Sequence, residues 1–182
     1  RSWWGGDGKA YNRNEEAARC GRALDSLQAA VPAGYIHETH ILEGKGHWMN
    51  REDTVAVQWM ANYTRDPYPD KIVWRQEDVV RTDFYWLSVP AYDAGHGMEV
   101  IVNREGNTIN IEKNDYIRLQ IWLNDEMFDL IKPIIVKRDG EEIFSGKVER
   151  TLYSLALTLE RRKDPRYMFP AKLTVDNNSQ VN

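Results

Sequence analysis

The sequence predicts an α/β segment followed by a mainly β domain, a fold class that rests on three observations. Residues 1–63 alternate strand-like and helix-like runs, the order that belongs to α/β architecture with a parallel sheet. The polar stretch Thr64-Arg65-Asp66-Pro67-Tyr68-Pro69-Asp70 interrupts that order, because two prolines so close together disfavour both a helix and a central strand. Beyond it, short β-like runs follow one another with turn residues between them, the spacing of a compact β-sandwich with one helix. The expected organisation is a first domain over 1–63, a linker over 64–70, a β-sandwich over 71–176 and a frayed tail over 177–182.

In the first domain, Trp3-Trp4-Gly5-Gly6-Asp7 reads as the last residues of a buried strand and the turn after it. Asn12 or Asn14 is placed to cap a helix with Glu15 and Glu16 in its first turn, where carboxylates suit the helix dipole. Its apolar positions Ala17, Gly21, Leu24, Leu27 and Val31 recur every three or four residues, and Pro32-Ala33-Gly34 ends it. Tyr35 to Leu42 reads as a short strand. Asn50 with Asp53 resembles a capping pair for a second helix over Asp53 to Tyr63, with Val55, Trp59 and Tyr63 on one face. The chain has no initiator methionine, so a further segment is expected ahead of Arg1.

The second domain is expected to hold strands over 71–75, 83–89, 98–103, 107–112, 116–123, 133–137, 142–147 and 171–175. Arg104-Glu105-Gly106-Asn107 and Arg138-Asp139-Gly140 separate strands, the latter as a hairpin signal. Ile117, Leu119, Ile121 and Leu123 alternate with Arg118, Gln120 and Trp122, which predicts one buried and one partly wet face. Residues 148–162 suit one amphipathic helix through Leu152, Leu155 and Leu159.

Composition narrows the function. With 182 residues, 42% hydrophobic and 29% charged, the chain is an ordinary globular one able to bury a core. A net charge of −4 argues against nucleic acid as a partner, since phosphate-backbone binding needs a basic face. No run is long enough to cross a membrane, so a membrane partner is not expected. Cys20 is the only cysteine, which excludes an internal disulfide, and its helical neighbours suggest that it packs as a small apolar residue.

The stretch with most chemical promise is Gly44-Lys45-Gly46-His47-Trp48-Met49, between the expected strand and the second helix. Glycines on either side allow a tight turn, and a histidine just past a strand end can exchange protons with a bound group. His47 is therefore the best candidate for a catalytic base. Taken alone, such a histidine is more often a loop residue satisfied by a backbone carbonyl, and Asp7 beside its glycines is more often a turn or helix-entry residue.

Taken together, Gly5-Gly6-Asp7 and Gly44-Lys45-Gly46-His47 resemble the last two stations of an α/β-hydrolase, whose catalytic residues follow in the order nucleophile, acid, histidine. The Trp-Trp-Gly-Gly-Asp opening and the Gly-Lys-Gly-His-Trp-Met-Asn-Arg-Glu-Asp segment resemble bacterial prolyl-oligopeptidase-like and esterase-like serine hydrolases with a β-rich C-terminal extension. The resemblance implies that 1–63 is the C-terminal end of the hydrolase sheet. It implies that His47 relays the proton of a serine hydroxyl and that Asp7 orients the imidazole. It further implies an ester or peptide substrate, no cofactor, and an exported, periplasmic or secreted, bacterial setting.

One departure is decisive: no Gly-x-Ser-x-Gly elbow occurs, so the nucleophile and its oxyanion donors are expected in an N-terminal part of the hydrolase domain outside these residues. The chain alone should then be inactive. With sheet faces uncovered it should associate, as a homo-oligomer or with a partner chain.

Other signals are weaker. His37-Glu38-Thr39-His40 has its histidines three apart in a β-like run, where they do not converge on a metal. Asn124-Asp125-Glu126 with Asp129 lacks the spacing and glycine of a calcium loop and reads as a solvated turn. Asn62-Tyr63-Thr64 and Asn177-Asn178-Ser179 match the glycosylation triplet. Phe84-Tyr85-Trp86 with Trp74 and Trp122 sets up the rival reading, a noncatalytic, carbohydrate-directed β-sandwich module, although strand aromatics more often pack into the core.

Overall fold

The computed structural model describes residues 3–6, 9–32, 34–42 and 49–177. It is a mixed α/β structure, mostly strands with few helices. The chain divides into two compact units, Arg1–Thr64 and Arg65–Asn182.

In the first unit, β1 (Trp3–Gly6) and β2 (Lys9–Asn12) pair antiparallel, with Gly5 opposite Ala10 and Gly6 opposite Lys9. Gly5 and Gly6 are thus ladder residues rather than the turn expected of them. Asn12 ends β2, and α1 runs Arg13–Ala30. No parallel pairing occurs among the described residues of this unit.

The strand expected over Tyr35 to Leu42 is absent; these residues carry no regular secondary structure. Strands exist only where a neighbour completes the ladder, and no described residue pairs with this run. Tyr35 also adopts φ 52°, which breaks the extension at its first residue. The run lies instead along α1. Gly21 is buried beneath Thr39: a Cβ there would sit 2.6 Å from the Thr39 Oγ1. His37, two residues earlier, places Nε2 3.1 Å from Asp25 Oδ1, four residues further along α1. One helical turn and two extended residues advance by nearly the same distance, which keeps both contacts in register.

The second helix is shorter than the pattern predicts. A 3-10 turn spans Met49–Thr54 and α2 covers only Val55–Met60. Thr54 at its N-cap is itself helical and makes no side-chain cap bond, so the expected capping pair does not open the helix. Cys20, expected to pack as an apolar residue, is exposed.

The second unit holds two sheets. The five-stranded sheet contains β3 (Lys71–Arg75), β6 (Glu99–Glu105), β7 (Thr108–Asn114), β9 (Ile134–Arg138) and β10 (Glu141–Gly146), in the order β10-β9-β7-β6-β3. The four-stranded sheet contains β4 (Asp83–Phe84), β5 (Leu87–Ser88), β8 (Arg118–Leu123) and β11 (Ala171–Asp176), in the order β11-β8-β5-β4. All pairs are antiparallel except β7 with β9. A parallel pair needs a long crossover, and the chain supplies it by running β8 through the other sheet before returning as β9.

Strict alternation explains the core. Ile72 and Trp74 on β3, and Ala171, Leu173 and Val175 on β11, point inward while their neighbours stay wetter. Residues of both sheets join in one buried cluster. β8 behaves as predicted at Leu119, Ile121 and Leu123, but Ile117 lies outside it and is exposed. Trp122 is also buried, its indole N–H donating to Ser88 Oγ at 2.7 Å. The hairpin from β9 to β10 turns on Asp139 (φ 53°) and Gly140 (φ 83°), the two left-handed residues of a type I′ turn.

Helix α3 (Leu152–Arg162) is capped by Thr151, whose hydroxyl accepts from the Ser154 N–H, and closes on left-handed Lys163. Its buried face is not the expected leucine stripe. Ser154 and Thr158 are buried, whereas Leu152 is 84% and Leu159 41% exposed. The reason is polar: the Phe169 N–H is buried and needs an acceptor, and Thr158 Oγ1 provides it at 3.0 Å.

Candidate functional site

His47 and Asp7, the predicted catalytic pair, lie outside the described residues, as do Gly44, Lys45, Gly46 and Trp48. The two flanks of the histidine segment are described. Leu42 precedes it, and the Met49–Thr54 turn leading into α2 follows it. A groove of about 840 Å³ is bounded by both flanks: Glu38, His40 and Leu42 on one side, Asp53, Ala56 and Trp59 among those on the other. Its size is that of a small-molecule site. Trp59 is braced by Tyr63 at a centroid distance of 4.7 Å.

The groove is chemically two-sided. Leu42, Val55, Trp59 and Met60 give it apolar surface, and Glu38, Glu52 and Asp53 give it an acidic border. His40 Nε2 lies 2.9 Å from Glu38 Oε2, both side chains being well exposed. The described lining contains no serine, cysteine or threonine and hence no hydroxyl or thiol nucleophile.

His37 and His40, the candidate metal pair, take different partners. His37 Nδ1 lies 2.8 Å from the Tyr35 carbonyl oxygen and Nε2 contacts Asp25; both partners are acceptors, so in either tautomer the ring donates to one of them. Among the described residues, no group of three or more His, Cys, Asp or Glu is arranged to hold a metal ion.

At the candidate calcium turn, Asn124 Oδ1 accepts from the Met127 N–H at 3.0 Å, Asp125 pairs with Arg150, and Asp129 pairs with Lys132 at 2.9 Å. The hydrogen bond from Arg150 holds the Asp125 carboxyl below the usual carboxylate range, opposed by its slight desolvation. These are ion-paired surface carboxylates, in keeping with a solvated turn.

The aromatics of the rival reading divide between core and surface, with Phe84 and Tyr85 partly exposed and the three tryptophans inside. Trp74, Trp86 and Trp122 are all buried, and the Trp86 indole donates to the Pro69 carbonyl at 2.9 Å. These indoles fill the core instead of facing a sugar.

Sequence reading missed a second cavity, of about 320 Å³, inside the Arg65–Asn182 unit, lined by Arg65, Asp83, Phe84, Tyr85, Arg162, Asp164 and Tyr167. No spacing motif announces it, because its residues come from three distant stretches. The one available signal was the pair Arg161-Arg162 at the end of an amphipathic helix.

Among the described residues, no helix is long and apolar enough to cross a membrane. Compared with known proteins, the chain matches no protein-family model, no curated protein and no solved structure.

Proposed function

We propose that residues 1–63 are the C-terminal part of an α/β-hydrolase catalytic domain and that residues 71–176 form a β-sandwich accessory domain. In this reading His47 is the general base, Asp7 the carboxylate behind it, and the reaction acyl transfer to water at an ester or peptide bond without a cofactor. His47 takes the proton of an attacking serine hydroxyl and returns it to the leaving group. The serine belongs to the N-terminal part of the domain, which these residues do not include.

One observation carries the proposal. Every buried hydrophobic residue among those described lies between Ile72 and Val175, while residues 1–63 expose Leu27, Val31, Tyr35, Ile36, Val55, Val57, Met60 and Tyr63. An apolar surface of this extent, contributed by the helices and by the run after α1, is normally covered by a further layer of protein. A groove lined by residues that precede and follow the His47 segment in sequence is compatible with the same reading, since it offers apolar contact area of small-molecule size.

The test is fluorophosphonate labelling and p-nitrophenyl ester hydrolysis by the natural gene product. It is expected to label on a serine outside these 182 residues, and His47→Ala should lower its hydrolysis by at least about 10³-fold. The 182 residues alone should be inactive. Serine-dependent hydrolysis by them, or full activity in the His47→Ala product, would overturn the assignment.

A further inference from the structure

The cavity within Arg65–Asn182 combines features that structural ion pairs alone do not require. Arg65 lies between two rings, its guanidinium carbon 5.7 Å from the Tyr85 centroid and 5.5 Å from that of Tyr167. Among the described residues it makes no hydrogen bond or ion pair, so its five donors face the cavity and solvent. Arg162 is the buried counterpart. Its side chain is 12% exposed, its Nη2 donates at 3.3 Å to both Asp83 Oδ1 and the Leu87 carbonyl, and its guanidinium lies 5.2 Å from the Tyr167 ring. Burial holds the Arg162 guanidinium below the usual arginine range, opposed by the Asp83 carboxylate, so the cation is short of compensating charge.

The walls are held rigidly. Tyr85 adopts φ 51°, a left-handed conformation that an aromatic residue rarely takes. It is the first residue of the two-residue turn between β4 and β5, where Phe84 pairs with Leu87. The second, Trp86, is locked into the core by burial and by its bond to Pro69, which leaves Tyr85 to take the strain and project its ring over the cavity. Phe84 meets Tyr85 edge to face at 4.8 Å and stacks on buried Trp74 at 5.6 Å. Strain retained at a concave site, with planar cations between planar rings, is the construction of a preorganised binding pocket.

Charge selects the ligand. Asp83 is shared by Arg162 and Arg161, the latter at 2.7 Å, and Asp164 accepts the Arg166 N–H at 2.9 Å. Within the lining, Arg65 is a cation with no ion-pair partner among the described residues, and Arg162 shares its one carboxylate, Asp83, with Arg161 outside the lining. One carboxylate would pair with the Arg65 guanidinium, whereas a dianion would meet added repulsion beside Asp83 and Asp164. We propose that this cavity binds a small planar organic carboxylate, its oxygens on the Arg65 and Arg162 guanidinium groups and its ring or π-system against Tyr85, Phe84 and Tyr167. At about 320 Å³ the cavity sits at the small end of ligand sites, which suits a single-ring acid. It lies wholly within Arg65–Asn182 and does not depend on the hydrolase assignment.

The test is calorimetric titration of the full chain at fixed ionic strength with benzoate, its neutral analogue benzamide and inorganic phosphate. Benzoate should bind saturably at one site, at least about tenfold tighter than benzamide or phosphate, a single charge-assisted bidentate contact being worth that much. Arg65→Met should weaken benzoate by at least about tenfold while lowering the thermal midpoint only slightly, since within the fold Arg65 makes only the exposed cation–π contacts to Tyr85 and Tyr167. Arg162→Met serves as a second variant, with a midpoint measurement to detect misfolding. Equal binding of benzoate and benzamide, tighter binding of phosphate, or undiminished binding by Arg65→Met would each overturn the proposal.

Discussion

The two units meet the same physical requirement in opposite ways. In Arg65–Asn182, two sheets close over a continuous buried cluster, and several polar groups inside it satisfy one another, as Ser88 does with Trp122 and Thr158 with Phe169. In Arg1–Thr64, the described side chains touch through scattered contacts, such as Thr39 on Gly21, His37 on Asp25 and Trp59 on Tyr63, and no hydrophobic residue among those described is buried. Similar fractions of apolar residues therefore do different work. Strands that pair within the chain bring their apolar faces together, whereas an unpaired run such as Tyr35 to Leu42 leaves Tyr35 and Ile36 in solvent. Local sequence supplies apolar surface in both units, but only one of them holds the partner that covers it.

The contrast breaks most visibly at large core residues. Trp86→Ala removes a fully buried indole and its bond to Pro69, and is expected to cost about 3–5 kcal/mol in guanidinium unfolding followed by near-ultraviolet circular dichroism. Trp59→Ala, in the groove of the first unit, should leave that transition within about 0.5 kcal/mol. An equal shift from both variants would remove the distinction between the units.

Gly21→Ala tests a tight contact of the first unit. The new Cβ would stand 2.6 Å from Thr39 Oγ1 and 3.0 Å from Thr39 Cβ. Overpacking of about 1–3 kcal/mol should outweigh the gain of about 1 kcal/mol in helix propensity. The expected readout is faster amide exchange along α1, milder when Thr39→Ala is also present because the hydroxyl and methyl it would strike are gone.

Tyr116→Phe sharpens the comparison from the side of the well-packed unit. The ring is buried and stacks near Trp74, but its hydroxyl oxygen has no hydrogen-bond partner. Deleting it should raise stability by about 1 kcal/mol, measured as an increase in the denaturation midpoint. A loss instead would mean that the hydroxyl is satisfied in solution.

The smallest effect belongs to the surface. Asp125 has its carboxyl pKa depressed by Arg150, so the pair contributes stability above the unfolded carboxylate range near pH 4 and loses it as pH falls through the lower folded value. Asp125→Asn should lower the melting temperature by at most about 3 °C at pH 7, and the difference should shrink as pH falls through the lowered folded value. A difference that persists in acid would point to packing rather than charge.

The second unit was legible because its signals are short-range. Period-two alternation on β3 and β11, Asp139-Gly140 at a hairpin and the cluster of turn residues between strands each act within a few positions. The face of α3 was not legible: the leucines at Leu152 and Leu159 obey helical periodicity, yet the helix turns Thr158 inward because a backbone N–H from Phe169 needs an acceptor. Tyr35 to Leu42 likewise has strand-like residues, and what it lacks is a neighbour. The catalytic reading of His47 and Asp7 rests on sequence pattern alone, since both lie outside the described residues.

What the sequence by itself determined is therefore local: which residues alternate, and where prolines and glycines end a run. Tertiary structure alone decided which apolar faces are covered, that Trp74, Trp86 and Trp122 serve the core, and that Arg65, Tyr85, Arg162 and Tyr167 converge on one cavity. The physical reason is that burial and charge balance depend on which distant surfaces meet, a property of the folded chain that no local pattern encodes.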